Sequence, residues 1–240
     1  MKTTLSTRYS ALYGGFFLTA GIMLPFWPLW LESRGLGNLQ IGLILALGPW
    51  MRVFSNPIIA QIADRSGRPK LLLVILSIFS LVAFLSFLPA GSFPYILCVS
   101  LVASVCFPAM LPIAESQVMS SVIRYRLDYG RIRLWGSLTF IIGTLGTGFL
   151  IGKHNPDLIL ILIIFAISVT LLAALIFPRE VKQRESYQKN TITSLLKQPR
   201  FILFVISASL LQASHAVYNG FSTLKLVLHL ALRYSLRSLL

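Results

Sequence analysis

Long apolar runs separated by short polar breaks dominate this chain. Runs without charge cover residues 9–31, 71–114 (with a Pro- and Gly-containing break at 89–94), 134–152, 158–177 and 201–224. Residues 41–63 form a further apolar run whose one charged residue is Arg52. Since a helix needs roughly 20 residues to cross the hydrocarbon core of a bilayer, the pattern predicts seven membrane helices.

One polar segment interrupts this series, between the sixth and seventh predicted helices. It is rich in Lys, Arg, Glu, Gln and Asn. The pattern therefore predicts a six-helix bundle over 1–178, a cytoplasmic linker over 179–198, a seventh membrane helix over 199–224 and a basic apolar tail over 225–240.

The composition supports an all-α membrane protein. Hydrophobic residues make up 56% of the 240 residues and charged residues only 12%, whereas soluble domains carry about 25% charge. Cys98 and Cys106 lie within one span, without His or carboxylate at ligand spacing, so we expect packing residues and no metal site. No soluble catalytic module is visible, and we expect neither an enzyme nor a cofactor.

The net charge of +14 follows the predicted topology. Most basic residues fall on alternate, inner segments, at 2–8, 65–70, 124–133 and 179–200, and only Arg34 and Lys153 fall on outer loops. This is the positive-inside distribution. It predicts a multi-pass protein of the inner cell membrane with a cytoplasmic N-terminus, and the basic charge then needs no nucleic-acid partner. The first run has no small-residue cleavage site, so we expect no cleavable signal peptide.

Arg52 is the strongest candidate for chemistry within the spans. An arginine at the bilayer centre costs about 2.5–3.5 kcal/mol on insertion scales, so its side chain should face the bundle interior or water. Gly48, Ser55 and Asn56 share its helix face at three- and four-residue spacing. Arg52 is predicted to bind substrate, with a purely structural ion pair as the alternative.

Glu115 is the predicted partner of Arg52. It lies in the fourth predicted helix on a stripe with Ser104 and Pro108, and Pro108 and Pro112 each remove a helical hydrogen bond there. A carboxylate beside a polar cavity can titrate. Glu115 is therefore predicted to bind substrate and carry a proton, and structural pairing with Arg52 is the alternative.

Other polar and aromatic candidates lie in the seventh and first helices. Gln212 and His215 share one face of helix 7, and Tyr218 is adjacent. Trp27, near the outer end of helix 1, either anchors the chain at the interface or lines a cavity. In helix 5, Gly148 and Gly152 form a small-xxx-small pair that predicts close helix approach.

A short basic segment at residues 60–70, between two apolar runs, resembles the loop between the second and third helices of major facilitator superfamily transporters. Asp64, Arg65, Gly67 and Arg68 fit that pattern, while Ala60 stands where a Gly is usual. The resemblance implies a loop that acts in the conformational switch by docking across the cytoplasmic face onto the second half of the protein. It also implies six plus six helices built from inverted repeats.

Further runs resemble the phenylpropionate permease branch of that superfamily. They are residues 24–27, Arg52, residues 127–137 and residues 212–222. The resemblance implies proton-coupled uptake of an aromatic carboxylate such as 3-phenylpropionate, with the small organic anion, protons and the lipid bilayer as partners. Arg52 would hold the carboxylate or tune Glu115, Glu115 would carry the proton, and aromatic side chains near Trp27 and Tyr218 would accept the ring. Nucleoside or oligosaccharide proton symport is the alternative substrate class.

The chain departs from this resemblance after residue 223. Transporters of the superfamily have about twelve helices, and here only seven are predicted. Basic residues recur every four positions from Lys225 among leucines, which predicts either an out-of-frame tail or an amphipathic interfacial helix. We therefore also expect, as alternatives, an inactive truncated transporter, a half-transporter that needs a second half or a homodimer, or a membrane protein without transport activity.

Overall fold

The computed structural model describes residues 2–89, 91–151, 156–179, 198–211 and 213, and these are helical apart from short turns. The chain divides into two compact units, Met1–Gln183 and Arg184–Leu240. The first unit contains six helices: α1 (Lys2–Ser33), α2 (Asn38–Ser66), α3 (Pro69–Leu85), α4 (Phe93–Tyr125), α5 (Tyr129–Ile151) and α6 (Asp157–Ile176). The all-α fold with a six-helix bundle is thus confirmed.

The second unit contributes one described helix, α7 (Pro199–Leu211), which is short and apolar. The tail over 225–240 lies outside the described residues, so its interpretation stays a prediction. Five helices of the first unit are long and apolar enough to cross a membrane, and α3, with 17 residues, falls slightly short of that length. The chain is therefore a multi-pass membrane protein.

The six helices pack in the order α5–α1–α6–α3–α4–α2, and each helix packs extensively only on its neighbours in that order. Exchanging α1 with α4, α2 with α5 and α3 with α6 maps the packed pairs α1–α5 and α1–α6 onto α4–α2 and α4–α3, and maps the central pair α3–α6 onto itself. Two three-helix repeats would produce such a packing order. The internal repeat itself stays what the resemblance implies.

Helices α1 and α5 approach each other most closely, and the close contacts occur at glycines. A Cβ atom added to Gly143 would lie 2.8 Å from the Leu18 carbonyl oxygen, and one added to Gly21 would clash with the Phe140 carbonyl oxygen. Thr144 reinforces the crossing, because its Oγ1 donates a hydrogen bond of 2.9 Å to the Gly21 carbonyl. A Cβ atom on Gly148, by contrast, would meet Phe26 at an ordinary 3.4 Å. Close approach therefore occurs at Gly143 and not at Gly148, while Gly152 lies outside the described residues.

The helices at the two ends of the packing order, α2 and α5, bury the least surface. Only 11% of the most apolar window of α2 and 17% of that of α5 are buried, against 39–44% for α1, α4 and α6. Large apolar side chains such as Trp50, Phe54 and Phe149 are exposed on them. Such surfaces suit a chain whose surroundings are lipid or further membrane helices.

Candidate functional site

Arg52 lies at the middle of α2, on the face that packs against α4. Its helix neighbours Val53 and Phe54 are 62% and 64% exposed, whereas Arg52 is half-buried and Gly48, one turn earlier, is buried. The prediction that this arginine faces the bundle interior is confirmed. Because lipid cannot solvate a guanidinium, this placement lets Arg52 meet a polar ligand or a polar cavity.

A cavity of about 60 Å³ lies beside Arg52. It is lined by residues of α1, α2, α3 and α4: Met23, Trp27, Ile44, Leu45, Arg52, Phe84, Ser100, Ala103 and Ser104. Two residues predicted to bind substrate, Arg52 and Trp27, therefore share one cavity. Its size is well below the 300–1,000 Å³ of pockets that enclose a drug-sized ligand, so it is too small to enclose a whole ligand of that size.

Polar atoms at this α2–α4 interface are buried without hydrogen bonds. Among the residues that the structure describes, Arg52 Nε, Ser55 Oγ, Asn56 Oδ1 and Ser100 Oγ have no partner. Each buried polar atom left unpaired costs about 1–3 kcal/mol. Arg52 Nε and the three unpaired atoms of its neighbours indicate a surface that water or a ligand completes.

Trp27 forms part of an aromatic cluster at the edge of the cavity. It stacks on Trp30 with ring centroids 4.8 Å apart and meets Phe84 and Phe87 edge-on at 5.6 and 4.9 Å. Only 5% of Trp27 is exposed, which favours cavity lining over interface anchoring. An apolar or aromatic group that follows a carboxylate into this cavity would meet ring surfaces.

Glu115 does not pair with Arg52. Within the described part of the chain no ion pair joins them, and the Tyr129 hydroxyl donates instead to the two Glu115 oxygens, at 3.0 and 3.3 Å. The reason is that Arg52 and Glu115 lie at different depths in the bundle. Ser104 lies opposite Gly48. On these two helices, which run in the same direction, Glu115 follows Ser104 by eleven residues and Arg52 follows Gly48 by only four, so Glu115 lies about 10 Å further along the bundle. The predicted Arg52–Glu115 pairing is therefore wrong for this conformation.

Glu115 instead belongs to a second polar cluster, between α1, α4 and α5. Tyr13 of α1 lies within electrostatic range of Glu115 and Tyr129, and its buried hydroxyl completes no hydrogen bond with the described residues. Arg133 of α5 lies over the Phe17 ring, 4.0 Å from its centroid, and 5.7 Å from the centroid of Tyr13. From the sequence, Arg133 was counted only among the basic residues that indicate topology. The spacing of Tyr129 and Arg133 by one helical turn was the sequence feature that could have predicted their common helix face.

The basic segment at residues 60–70 is mostly helical. Asp64 and Arg65 lie in the last turn of α2, and Gly67 ends that helix in the left-handed conformation, with φ 59° and its N–H donating to the Ala63 carbonyl. Pro69 then begins α3, so the turn itself is only Gly67 and Arg68. Glycine suits this position because it adopts positive φ without strain.

The charged side chains of this segment face outward. Asp64, Arg65 and Arg68 are exposed, and none of them forms an ion pair within the described ranges. Desolvation by burial has the largest effect in lowering the pKa of Lys70, and the positive charges of Arg179 and Arg8 lower it further. The starts of α1 and α3 and the end of α6 therefore meet at one end of the bundle, as the alternation of basic segments predicted.

Three predicted site residues lie outside the described residues: Gln212, His215 and Tyr218. Their assignment to substrate binding stays a prediction. In the described part of the chain there is no group of three or more His, Cys, Asp or Glu residues that could hold a metal ion.

A family profile described as "MFS_1 like family" matches residues 6–239. The chain belongs to this family of the major facilitator superfamily. The "Probable 3-phenylpropionic acid transporter" of Escherichia coli (strain K12) is 32% identical over 226 residues, which are 91% of this chain and 59% of that protein. The "Maltose permease" of Geobacillus stearothermophilus is 27% identical over 169 residues, or 70% of this chain and 42% of the permease.

A solved major facilitator structure confirms the fold. The crystal structure of the nucleoside transporter NupG superimposes with a TM-score of 0.72 at 17% identity, covering 90% of this chain and 56% of the transporter. At that identity the likeness concerns the fold alone. The chain spans between two fifths and three fifths of the length of these proteins.

Proposed function

We propose that the chain takes part in proton-coupled uptake of a small aromatic carboxylate, such as 3-phenylpropionate, across the inner membrane. The observation that carries this proposal is the Arg52 guanidinium, which has no ion pair and an unpaired Nε among the described residues, in a cavity that Trp27 also lines. A half-buried cation without a counter-ion among those residues favours an anionic ligand, because the ion pair offsets part of its desolvation. The name of the 32%-identical relative supports the substrate class.

In this proposal Arg52 forms a bidentate ion pair with the carboxylate, for which the planar guanidinium is suited. The aromatic cluster of Trp27, Trp30, Phe84 and Phe87 accepts the ring. Gln212, His215 and Tyr218 are also proposed to contribute to substrate binding, and Asp64, Arg65, Gly67 and Arg68 would act in the switch between conformations.

Glu115 is assigned to the proton. It lies away from Arg52 and receives its hydrogen bond from the neutral Tyr129 hydroxyl, so its charge can change without unpairing Arg52. Proton transfer at Glu115 of α4 and anion binding at Arg52 of α2 then occur at two separate places in the bundle. The cytoplasmic N-terminus is part of the same proposal, since it puts the basic segments inside.

Uptake by proteoliposomes containing the chain tests this function. With a pH gradient, we expect accumulation of labelled 3-phenylpropionate, its loss in Arg52→Ala, and retained exchange without gradient-driven accumulation in Glu115→Gln. Arg131→Ala is the matched arginine control, because that side chain is 85% exposed and pairs only with Asp128. Uptake that survives in Arg52→Ala would contradict the assignment.

The same preparation separates the alternatives. Binding of 3-phenylpropionate without uptake would indicate that the chain needs a second half or a second copy. Competition by maltose and not by 3-phenylpropionate would favour a sugar substrate, in line with the maltose permease relative. A chain that neither binds nor transports any of these ligands would be a membrane protein without this activity.

A further inference from the structure

Ser100 of α4 is unusual among the buried hydroxyl groups of the bundle. The hydroxyls of Ser77, Ser80 and Thr170 each donate to the backbone carbonyl four residues earlier, at 2.8–2.9 Å. This local bond is the usual way in which a serine or threonine satisfies its hydroxyl within a helix. Ser100 is 6% exposed, yet its Oγ has no hydrogen-bond partner among the described residues.

Ser100 lines the cavity that contains Arg52, and Ser104 lines it one turn further along α4. A Cβ atom on Gly48 of α2 would lie 3.1 Å from Ser104 Oγ. Gly48 precedes Arg52 by one turn on the same face of α2. The absence of a side chain at residue 48 therefore lets the Ser104 hydroxyl reach the stripe of α2 that carries the guanidinium.

A carboxylate has about four lone-pair positions for hydrogen bonds. A bidentate guanidinium occupies two of them. The remaining positions need donors from water or from the protein, and the cavity lining offers two hydroxyl groups on the helix opposite Arg52. A hydroxyl that has no bond to its own helix is free to donate to a ligand.

We propose that Ser100 and Ser104 complete the anion site of Arg52, so that a monocarboxylate is held between a guanidinium on α2 and two hydroxyls on α4. This inference rests on the proposed function and deepens it. Arg52 recognises the ligand's negative charge, and the two serine hydroxyls of α4 donate hydrogen bonds to the remaining lone pairs of its carboxylate. A neutral carboxamide of the same shape forms no ion pair with Arg52, and its NH₂ group donates to hydroxyls instead of accepting from them.

Binding of labelled 3-phenylpropionate and of 3-phenylpropionamide to the purified chain in lipid nanodiscs tests this site. Since hydrogen bonds to charged groups contribute about 1.5–3 kcal/mol, Ser100→Ala should weaken carboxylate binding about 10- to 100-fold. Ser104→Ala should act in the same direction, and Ser100→Thr, which keeps the hydroxyl, should restore binding. Amide binding should weaken less than carboxylate binding in the two alanine variants, at most about 10-fold, because hydrogen bonds between neutral groups contribute less than those to a charged group.

Ser80→Ala is the matched control, because Ser80 is buried but bonded to its own helix and does not line the cavity. Thermal unfolding of each variant checks that the fold is retained. Unchanged carboxylate affinity in both alanine variants, with loss in Arg52→Ala, would overturn the serine assignment and leave the proposed function intact. Equal weakening of carboxylate and amide would also overturn it, since the serines would then only shape the cavity. Unchanged affinity in Arg52→Ala would refute the proposed function itself.

Discussion

The α1–α5 crossing provides a direct test of the packing, through Gly143. Replacing Gly143 by Ala puts a methyl group 2.8 Å from the Leu18 carbonyl oxygen, closer than carbon and oxygen approach without contact strain. That oxygen belongs to the backbone of a packed helix, so it cannot turn aside as a side chain could. Forcing an extra methyl group into a packed interior costs about 1–3 kcal/mol.

Gly146, on the same helix, is the control. A Cβ atom there meets nothing within 4 Å. Both substitutions gain the same helix propensity, about 1 kcal/mol for alanine over glycine, so comparing them isolates the contact with α1. We therefore expect Gly143→Ala to be about 1–3 kcal/mol less stable than Gly146→Ala.

Reversible unfolding in mixed detergent micelles, followed by circular dichroism, measures this difference. Gly21→Ala should be affected at least as strongly, because its methyl group meets the Phe140 carbonyl oxygen from the other side of the crossing. Equal stability of Gly143→Ala and Gly146→Ala would mean that the two helices are further apart than described, and the close crossing would be refuted.

Two further predictions concern polar contacts between helices. The buried hydrogen bond of 2.5 Å between Tyr9 Oη and Ser121 Oγ joins α1 to α4, so Ser121→Ala should cost about 1–3 kcal/mol by leaving the tyrosine hydroxyl unpaired. The double variant Tyr9→Phe/Ser121→Ala should recover part of that loss in the same unfolding assay, and full additivity would contradict the pairing. The Arg34–Asp157 ion pair joins the ends of α1 and α6 at 2.7 Å with side chains 25% and 49% exposed. Because solvent-exposed ion pairs contribute little, Arg34→Gln should lower the free energy of unfolding by no more than about 1 kcal/mol. The same unfolding assay at low and high salt measures this difference. A larger loss would show that the pair behaves as a buried interaction.

The sequence predicted the fold well because lipid imposes a strong constraint on it. Apolar runs of spanning length and alternating basic segments define the number and alternation of membrane helices. The boundaries were less accurate, since α2 continues to Ser66 through Asp64 and Arg65. Charged residues near the membrane surface are compatible with both a loop and a last helical turn, and only Gly67 marks the actual end.

The site was partly predictable for the same reason. Arg52 is conspicuous because its charge is costly in lipid, and its face follows from helical spacing. The partner of Glu115 was not predictable, because a carboxylate on α4 can lie near α2 or α5 and the sequence carries no information on relative depth. Ser100 was overlooked because most serines in membrane helices bond to their own backbone, and only its unpaired hydroxyl in the cavity distinguishes it.

The exchange of α1 with α4 and α2 with α5 makes the α1–α5 and α2–α4 interfaces counterparts in the packing order. Their contents differ. At Gly21 and Gly143, α1 and α5 come into backbone contact, whereas α2 and α4 help to enclose a cavity with unpaired polar atoms. Of two interfaces with the same place in the packing order, one is thus closed by backbone contact, and the other retains space and a charged side chain.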